Sequence, residues 1–121
     1  MSRILLAEDD DSLRGFLARA LERAGHAIDT AADGEEGLGR IVEANGGYDL
    51  VVSDIRMPAM DGIELAHRAA DLHPSMKILL MTGYAEQRER ADNLAAVIVD
   101  VVSKPFSLPE IRAAVTRALA A

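Results

Sequence analysis

The sequence predicts a doubly wound α/β domain: a five-stranded parallel sheet with five helices on its two faces. Short apolar runs alternate five times with stretches whose apolar residues recur at three- and four-residue steps. Four of the runs lead directly into chemistry-bearing residues, namely Glu8-Asp9, Asp54, Thr82 and Lys104-Pro105. The carboxyl ends of parallel strands face one side of a sheet, so these four clusters can share one pocket.

Ile4-Leu5-Leu6-Ala7 suits a strand buried on both faces. Asp10, Asp11 and Ser12 can cap the helix that follows, where Leu13, Phe16, Leu17, Ala20, Leu21 and Ala24 line one face until Gly25 stops it. His26 to Thr30 is a weaker, partly polar strand that belongs toward a sheet edge. Asp33-Gly34 opens a second helix through Leu38, Ile41 and Val42, ended by Asn45-Gly46-Gly47. Tyr48 to Ser53 forms the third strand, closed by Asp54, and Ile55 to Gly62 forms a loop containing Pro58. A third helix runs to about His73-Pro74, and Lys77 to Met81 is the fourth strand. Glu86 to Leu94 is charged, with a thin apolar seam of Ala91, Leu94 and Ala95, which predicts a short, loosely held helix suited to movement. Ile98 to Val102 is the fifth strand, and a last helix follows Ser107-Leu108-Pro109, with Ile111, Val115, Ala118 and Leu119 on one face.

A chain of 121 residues suits one domain with a real core, and the alternation uses all of it, leaving no room for an output domain. A net charge of −7 argues against a nucleic-acid footprint, which needs a basic face. The absence of cysteine excludes disulfides, zinc thiolates and cysteine catalysis. With no visible leader and no apolar run long enough to cross a bilayer, the expectation is a cytoplasmic protein without membrane insertion.

Taken alone, Glu8-Asp9-Asp10-Asp11 reads as an ordinary acidic helix start. A nucleotide-binding loop is disfavoured there, since no glycine-rich turn follows the first strand. After Asp54, the segment Ile55 to Gly62 can turn a backbone carbonyl inward, with Arg56 its donor and the Arg56 guanidinium toward solvent. Thr82-Gly83 and Lys104-Pro105 read singly as a strand-end turn and a surface lysine. Together the clusters gather three carboxylates, a hydroxyl and an ammonium. Three carboxylates without a counter-ion are unfavourable, which predicts a bound divalent cation. The cation, lysine and hydroxyl suit a phosphoryl group carried on one carboxylate.

This set resembles the receiver domain of two-component response regulators, a CheY-like family, over the full length of the chain. The matching residues are Glu8-Asp9, Asp54-Ile55-Arg56-Met57-Pro58 to Asp61-Gly62, Thr82-Gly83 and Lys104-Pro105-Phe106. Within the family, Ile4 to Arg14, Met60 to Ala66, Val101 with Ser103-Lys104-Pro105, and Leu119-Ala120-Ala121 are similar to the CpdR type. The resemblance implies a flavodoxin-like strand order 2-1-3-4-5. It implies that Asp54 accepts a phosphoryl group from a histidine kinase or histidine phosphotransferase, as an autocatalytic acceptor and not as a turnover enzyme. Mg²⁺ (or Mn²⁺) would be held by Asp9, Asp54 and the Arg56 carbonyl, with Glu8 acting through water, while Thr82 and Lys104 meet phosphoryl oxygens. Tyr84, Val101, Pro105 and Phe106 would belong to the switched protein-binding surface. Many receivers carry Tyr or Phe three residues before the lysine; Val101 stands there here, which makes Tyr84 the candidate reporter. The CpdR type implies an adaptor in ClpXP-type regulated proteolysis, with an AAA+ protease as partner and Ala120 and Ala121 as a candidate degron. Alternatives are a chemotaxis-type motility switch, a phosphorelay intermediate, or a metal-dependent phosphohydrolase. The last usually needs an acidic residue two positions after the aspartate, where Arg56 stands, and a cap to exclude water.

Overall fold

Five parallel strands form one sheet in the order β2-β1-β3-β4-β5. They are β1 (Arg3–Ala7), β2 (Ala27–Ala31), β3 (Leu50–Asp54), β4 (Ile78–Thr82) and β5 (Asp100–Ser103). The computed structural model describes residues 2–83, 90–91, 94 and 96–121. Helices α1 (Asp11–Arg23), α2 (Gly34–Glu43), α3 (Gly62–Leu72) and α4 (Leu108–Ala120) are the four among the described residues, where five were expected. The additional helix expected over 86–94 falls largely outside those residues.

The central strands are apolar throughout because both of their faces are covered. On one face Leu5, Ala7, Val51, Ile78 and Leu80 pack with Ile41 of α2 and Leu65, Ala66 and Ala69 of α3. On the other, Ile4, Leu6, Leu50, Val52, Leu79 and Met81 pack with Leu17 and Leu21 of α1 and with Ile111, Ala114, Val115 and Ala118 of α4. Adjacent residues of each strand therefore serve opposite layers, as the two-residue period of a strand requires. The polar β2 takes an edge, as its composition predicts, and the short β5 takes the other.

Caps fix where each helix leaves its strand. Asp10, Asp33 and Asp61 accept hydrogen bonds from the backbone N–H of Leu13, Glu36 and Glu64 at 3.0, 2.8 and 2.8 Å. Ser107 and Glu110 form a reciprocal capping box at the start of α4. Each such cap is worth about 1 kcal/mol. At the far end of α4, Lys77 Nζ donates to the Leu119 carbonyl at 2.7 Å, and Ala120 and Ala121 beyond it are exposed.

Several strand ends differ from the sequence reading. β3 and β4 each run one residue further, to Asp54 and Thr82, because the ladder continues past the last apolar residue. Asp54 pairs with Met81, Thr82 pairs with Ser103, and the Ile55 N–H donates to the Met81 carbonyl at 3.1 Å. β5 begins later than expected, since Val97 and Ile98 still turn around the Leu94 carbonyl, to which both donate, at 2.7 and 3.0 Å.

Candidate functional site

The carboxyl ends of β1, β3 and β5 and the turn after β4 enclose a cleft of about 610 Å³. Glu8, Asp9, Asp10, Leu13, Asp54, Arg56, Gly83, Lys104 and Pro105 line it. Lys104 lies on the same rim as Asp54: its Nζ is 2.9 Å from Glu8 Oε1 and 3.2 Å from Asp54 Oδ1. Glu8, Asp9 and Asp54 each offer a carboxylate oxygen, all within 4.8 Å of one another. Glu8 and Asp54 are buried and Asp9 is exposed. Three converging hard oxygen donors, one open to solvent, fit a small divalent cation that keeps part of its water shell.

Electrostatics follow from that crowding. Burial pushes Glu8 up from 4.5 to about 6, against the pull of Lys104. Burial also raises Asp54, with Lys104 opposing and Asp9 adding to the rise. Burial pulls Lys104 down, but the hydrogen bond to Glu8 and the Asp54 charge outweigh it, so its pKa is raised. The ammonium is thus held charged, and the two buried carboxylates lean toward their neutral forms.

The other sequence-predicted residues are placed as follows. Thr82 is buried at the tip of β4, and its carbonyl accepts from the Lys104 N–H at 2.6 Å, which extends the β4–β5 ladder to the lysine. The following Lys104–Pro105 peptide is cis. Val101 is half-buried against the layer of α2 and α3, and Phe106 packs against the layer of α1 and α4. Arg56 is exposed, on the cleft wall. Its loop is closed at the base by Gly62 N–H donating to the Ile55 carbonyl at 2.8 Å. Tyr84 lies outside the described residues.

Two site-bracing residues escaped the sequence reading. Arg14 Nη1 donates to the Glu8 carbonyl at 2.9 Å while Nη2 donates to Asp11 Oδ1 at 2.6 Å, tying the acidic loop to α1. A basic residue one turn into an acidic helix start was the available signal. Arg90 Nη2 donates to Asp61 Oδ2 at 3.2 Å, on the loop after β3. That pair depends on tertiary structure and has no local signature.

A profile of the response regulator receiver domain matches residues 4–116. The chain belongs to the response regulator receiver family. The receiver is 43% identical over 111 residues to the response regulator receiver protein CpdR of Brucella abortus (strain 2308), covering 92% of this chain and 91% of that protein. It is 37% identical over 116 residues to the sensor kinase CckA of the same organism, covering 96% of this chain but 12% of the kinase. Among solved structures, the response regulator protein TrrA from Thermotoga maritima, in complex with Mg(2+)-BeF, superposes with a TM-score of 0.87. That match is 35% identical and covers 98% of this chain and 99% of TrrA. The sheet order of the receiver agrees with the expectation drawn from the family. No helix among the described residues is long and apolar enough to cross a membrane.

Proposed function

We propose that this receiver is a response regulator whose Asp54 accepts a phosphoryl group from a phosphohistidine and, once modified, switches a protein-binding surface. The observation that carries the reading is the Lys104 ammonium held between Glu8 and Asp54, with Asp9 in reach of both acids. An Asp54 oxygen attacks phosphorus, the P–N bond breaks, its electron pair leaves on the imidazole nitrogen, and an acyl phosphate remains. Lys104 offsets part of the rise that burial imposes on Asp54 and then neutralises a phosphoryl oxygen, while the Thr82 hydroxyl donates to another. Glu8, Asp9, Asp54 and the Arg56 carbonyl are the groups that would hold Mg²⁺ (or Mn²⁺). Bound there, the ion would screen the carboxylate from the incoming phosphoryl oxygens. The product is a changed surface and not a released chemical. Tyr84, Val101, Pro105 and Phe106 are its proposed members.

The likeness to CckA favours a histidine kinase or a histidine phosphotransferase as donor. The likeness to CpdR, which extends over nearly all of that protein, favours output as an adaptor for an AAA+ protease of the ClpXP type. Incubation with acetyl phosphate and Mg²⁺ is expected to give one base-labile acyl phosphate on Asp54, detected by intact mass. Continuous phosphate release would favour a phosphohydrolase instead, and no labelling would reject the reading. Affinity capture with the parent chain and with Asp54→Asn then identifies the target.

Arg14 offers a test by sign. If it were only a nearby positive charge, Arg14→Gln would tighten Mg²⁺ binding by removing repulsion. Because it braces the Glu8 carbonyl, weaker binding is expected, about 10-fold, with Arg14→Lys intermediate. Titration of the melting temperature with Mg²⁺ reads the difference, and tighter binding in Arg14→Gln would remove the bracing role.

A further inference from the structure

Gly34, the first residue of α2, is buried and donates its N–H to the Met60 carbonyl at 3.1 Å. A Cβ at Gly34 would lie 2.2 Å from the Met60 oxygen and 2.8 Å from its carbonyl carbon. Both obstacles are backbone, so no side-chain rotation relieves them. Two other glycines of α2 differ. Gly37 would meet the side chains of Leu65, Ala31 and Ala7 in the core, and Gly39 faces open space.

Met60 sits in the loop from Ile55 to Asp61, which also carries Arg56. The base of that loop is fixed by Ile55 N–H to Met81 and by Gly62 N–H to Ile55. Its far side turns tightly, with Met60 N–H donating to the Pro58 carbonyl at 2.7 Å and Ala59 at a φ of 67°. Gly34 therefore anchors the far side of a loop whose near side is anchored by β3 and β4. Moving Met60 outward by the distance a methyl group demands would shift the peptides between the two anchors, Arg56 among them.

We infer that Gly34 is a positioning residue for the cation site: the absence of a side chain lets α2 hold Met60 and so sets the Arg56 carbonyl against Asp54. This rests on the proposed Mg²⁺-dependent acceptor reading of the site. The three glycines supply the test, as Gly34→Ala, Gly37→Ala and Gly39→Ala. Two quantities are measured for each: the melting temperature as a function of Mg²⁺ alone, and the Mg²⁺ concentration giving half-maximal labelling by acetyl phosphate. Gly34→Ala is expected to raise the half-saturating Mg²⁺ about 10-fold, the usual loss when a group orienting a ligand is displaced. Gly37→Ala is expected to lower the melting temperature without moving that concentration, and Gly39→Ala, at an open position inside the helix, to raise the melting temperature without moving it. A Gly34→Ala variant that melts earlier yet keeps the parent's half-saturating Mg²⁺ overturns the inference and leaves the acceptor reading intact. If Gly34→Ala does not fold, amide exchange in the parent chain decides. The Gly34 N–H is expected to exchange more slowly when Mg²⁺ is added, and an unchanged rate overturns the inference. A parent chain that acquires no Mg²⁺-dependent label on Asp54 removes the acceptor reading and this inference together.

Discussion

Asp54→Asn is expected to form no acyl phosphate and, without divalent cation, to resist urea better than the parent chain. The first half is chemistry: an amide has no anionic oxygen with which to attack phosphorus. The second half is electrostatics. Burial raises the Asp54 pKa, and Lys104 offsets only part of that rise. A raised pKa means that the fold binds the neutral carboxyl better than the carboxylate, and asparagine is a permanently neutral near-isostere. Below the unfolded value of 3.8 the acid is protonated in both states and its contribution to stability is fully present. That contribution is lost as pH rises through the folded value. Glu8, moved from 4.5 to about 6, has the same sign, worth ~2 kcal/mol across its interval. The advantage of Asp54→Asn over the parent should therefore grow as pH rises from 3.8 through the folded value. Urea midpoints in metal-free buffer read it directly, and an advantage that shrinks with rising pH would contradict the account. Added Mg²⁺ should narrow the gap by stabilising the parent more.

Lys104→Met is expected to lose phosphorylation and stability together in metal-free buffer, and to regain only stability when Mg²⁺ is added. The lysine Nζ lies 2.9 Å from Glu8 and 3.2 Å from Asp54, so its removal strands two buried carboxylates. Breaking a fully buried pair costs about 3–5 kcal/mol. Here the lysine side chain is 26% exposed, and the acids can take up protons, so about 1–3 kcal/mol is expected near neutral pH. The raised Lys104 pKa makes its contribution complete below the unfolded value of 10.5, to be lost as pH climbs through the folded one. On the acid side the contribution fades as Glu8, at about 6, and Asp54 protonate, so variant and parent should converge as pH falls. A divalent cation can replace the missing charge between the carboxylates. It cannot replace the ammonium on the phosphoryl oxygens, so labelling should stay about 10²–10³-fold slower. Full recovery of the labelling rate with Mg²⁺ would reduce Lys104 to a structural counter-charge.

Much of the architecture is legible because burial on two faces leaves little choice of residue. The runs Ile4-Leu5-Leu6-Ala7 and Ile78-Leu79-Leu80-Met81 are central strands, and Asp10, Asp33 and Ser107 cap helices as their side chains allow. The errors cluster where chemistry interrupts the apolar pattern. Asp54 and Thr82 read as residues beyond their strands, yet their backbones remain paired in the ladder. Glu8, Asp9, Asp54 and Lys104 converge as their positions after strands predict. Gly34 read only as a helix start, since its close approach to Met60 is a fact of tertiary packing. Arg90 was opaque for the same reason: its partner Asp61 is 29 residues away.

The Lys104–Glu8 bond joins residues 96 positions apart, from just beyond the first strand to just beyond the last. A chain ordered only as far as β4 would hold Glu8, Asp9 and Asp54 without the Lys104 ammonium. Because β5 is a short edge strand and only partly covered, the docking of this last ribbon completes the ion-paired cluster. The charge balance of the cleft is thereby set by an edge strand far along the chain, and a fold lacking it would leave Glu8 and Asp54 without their ammonium.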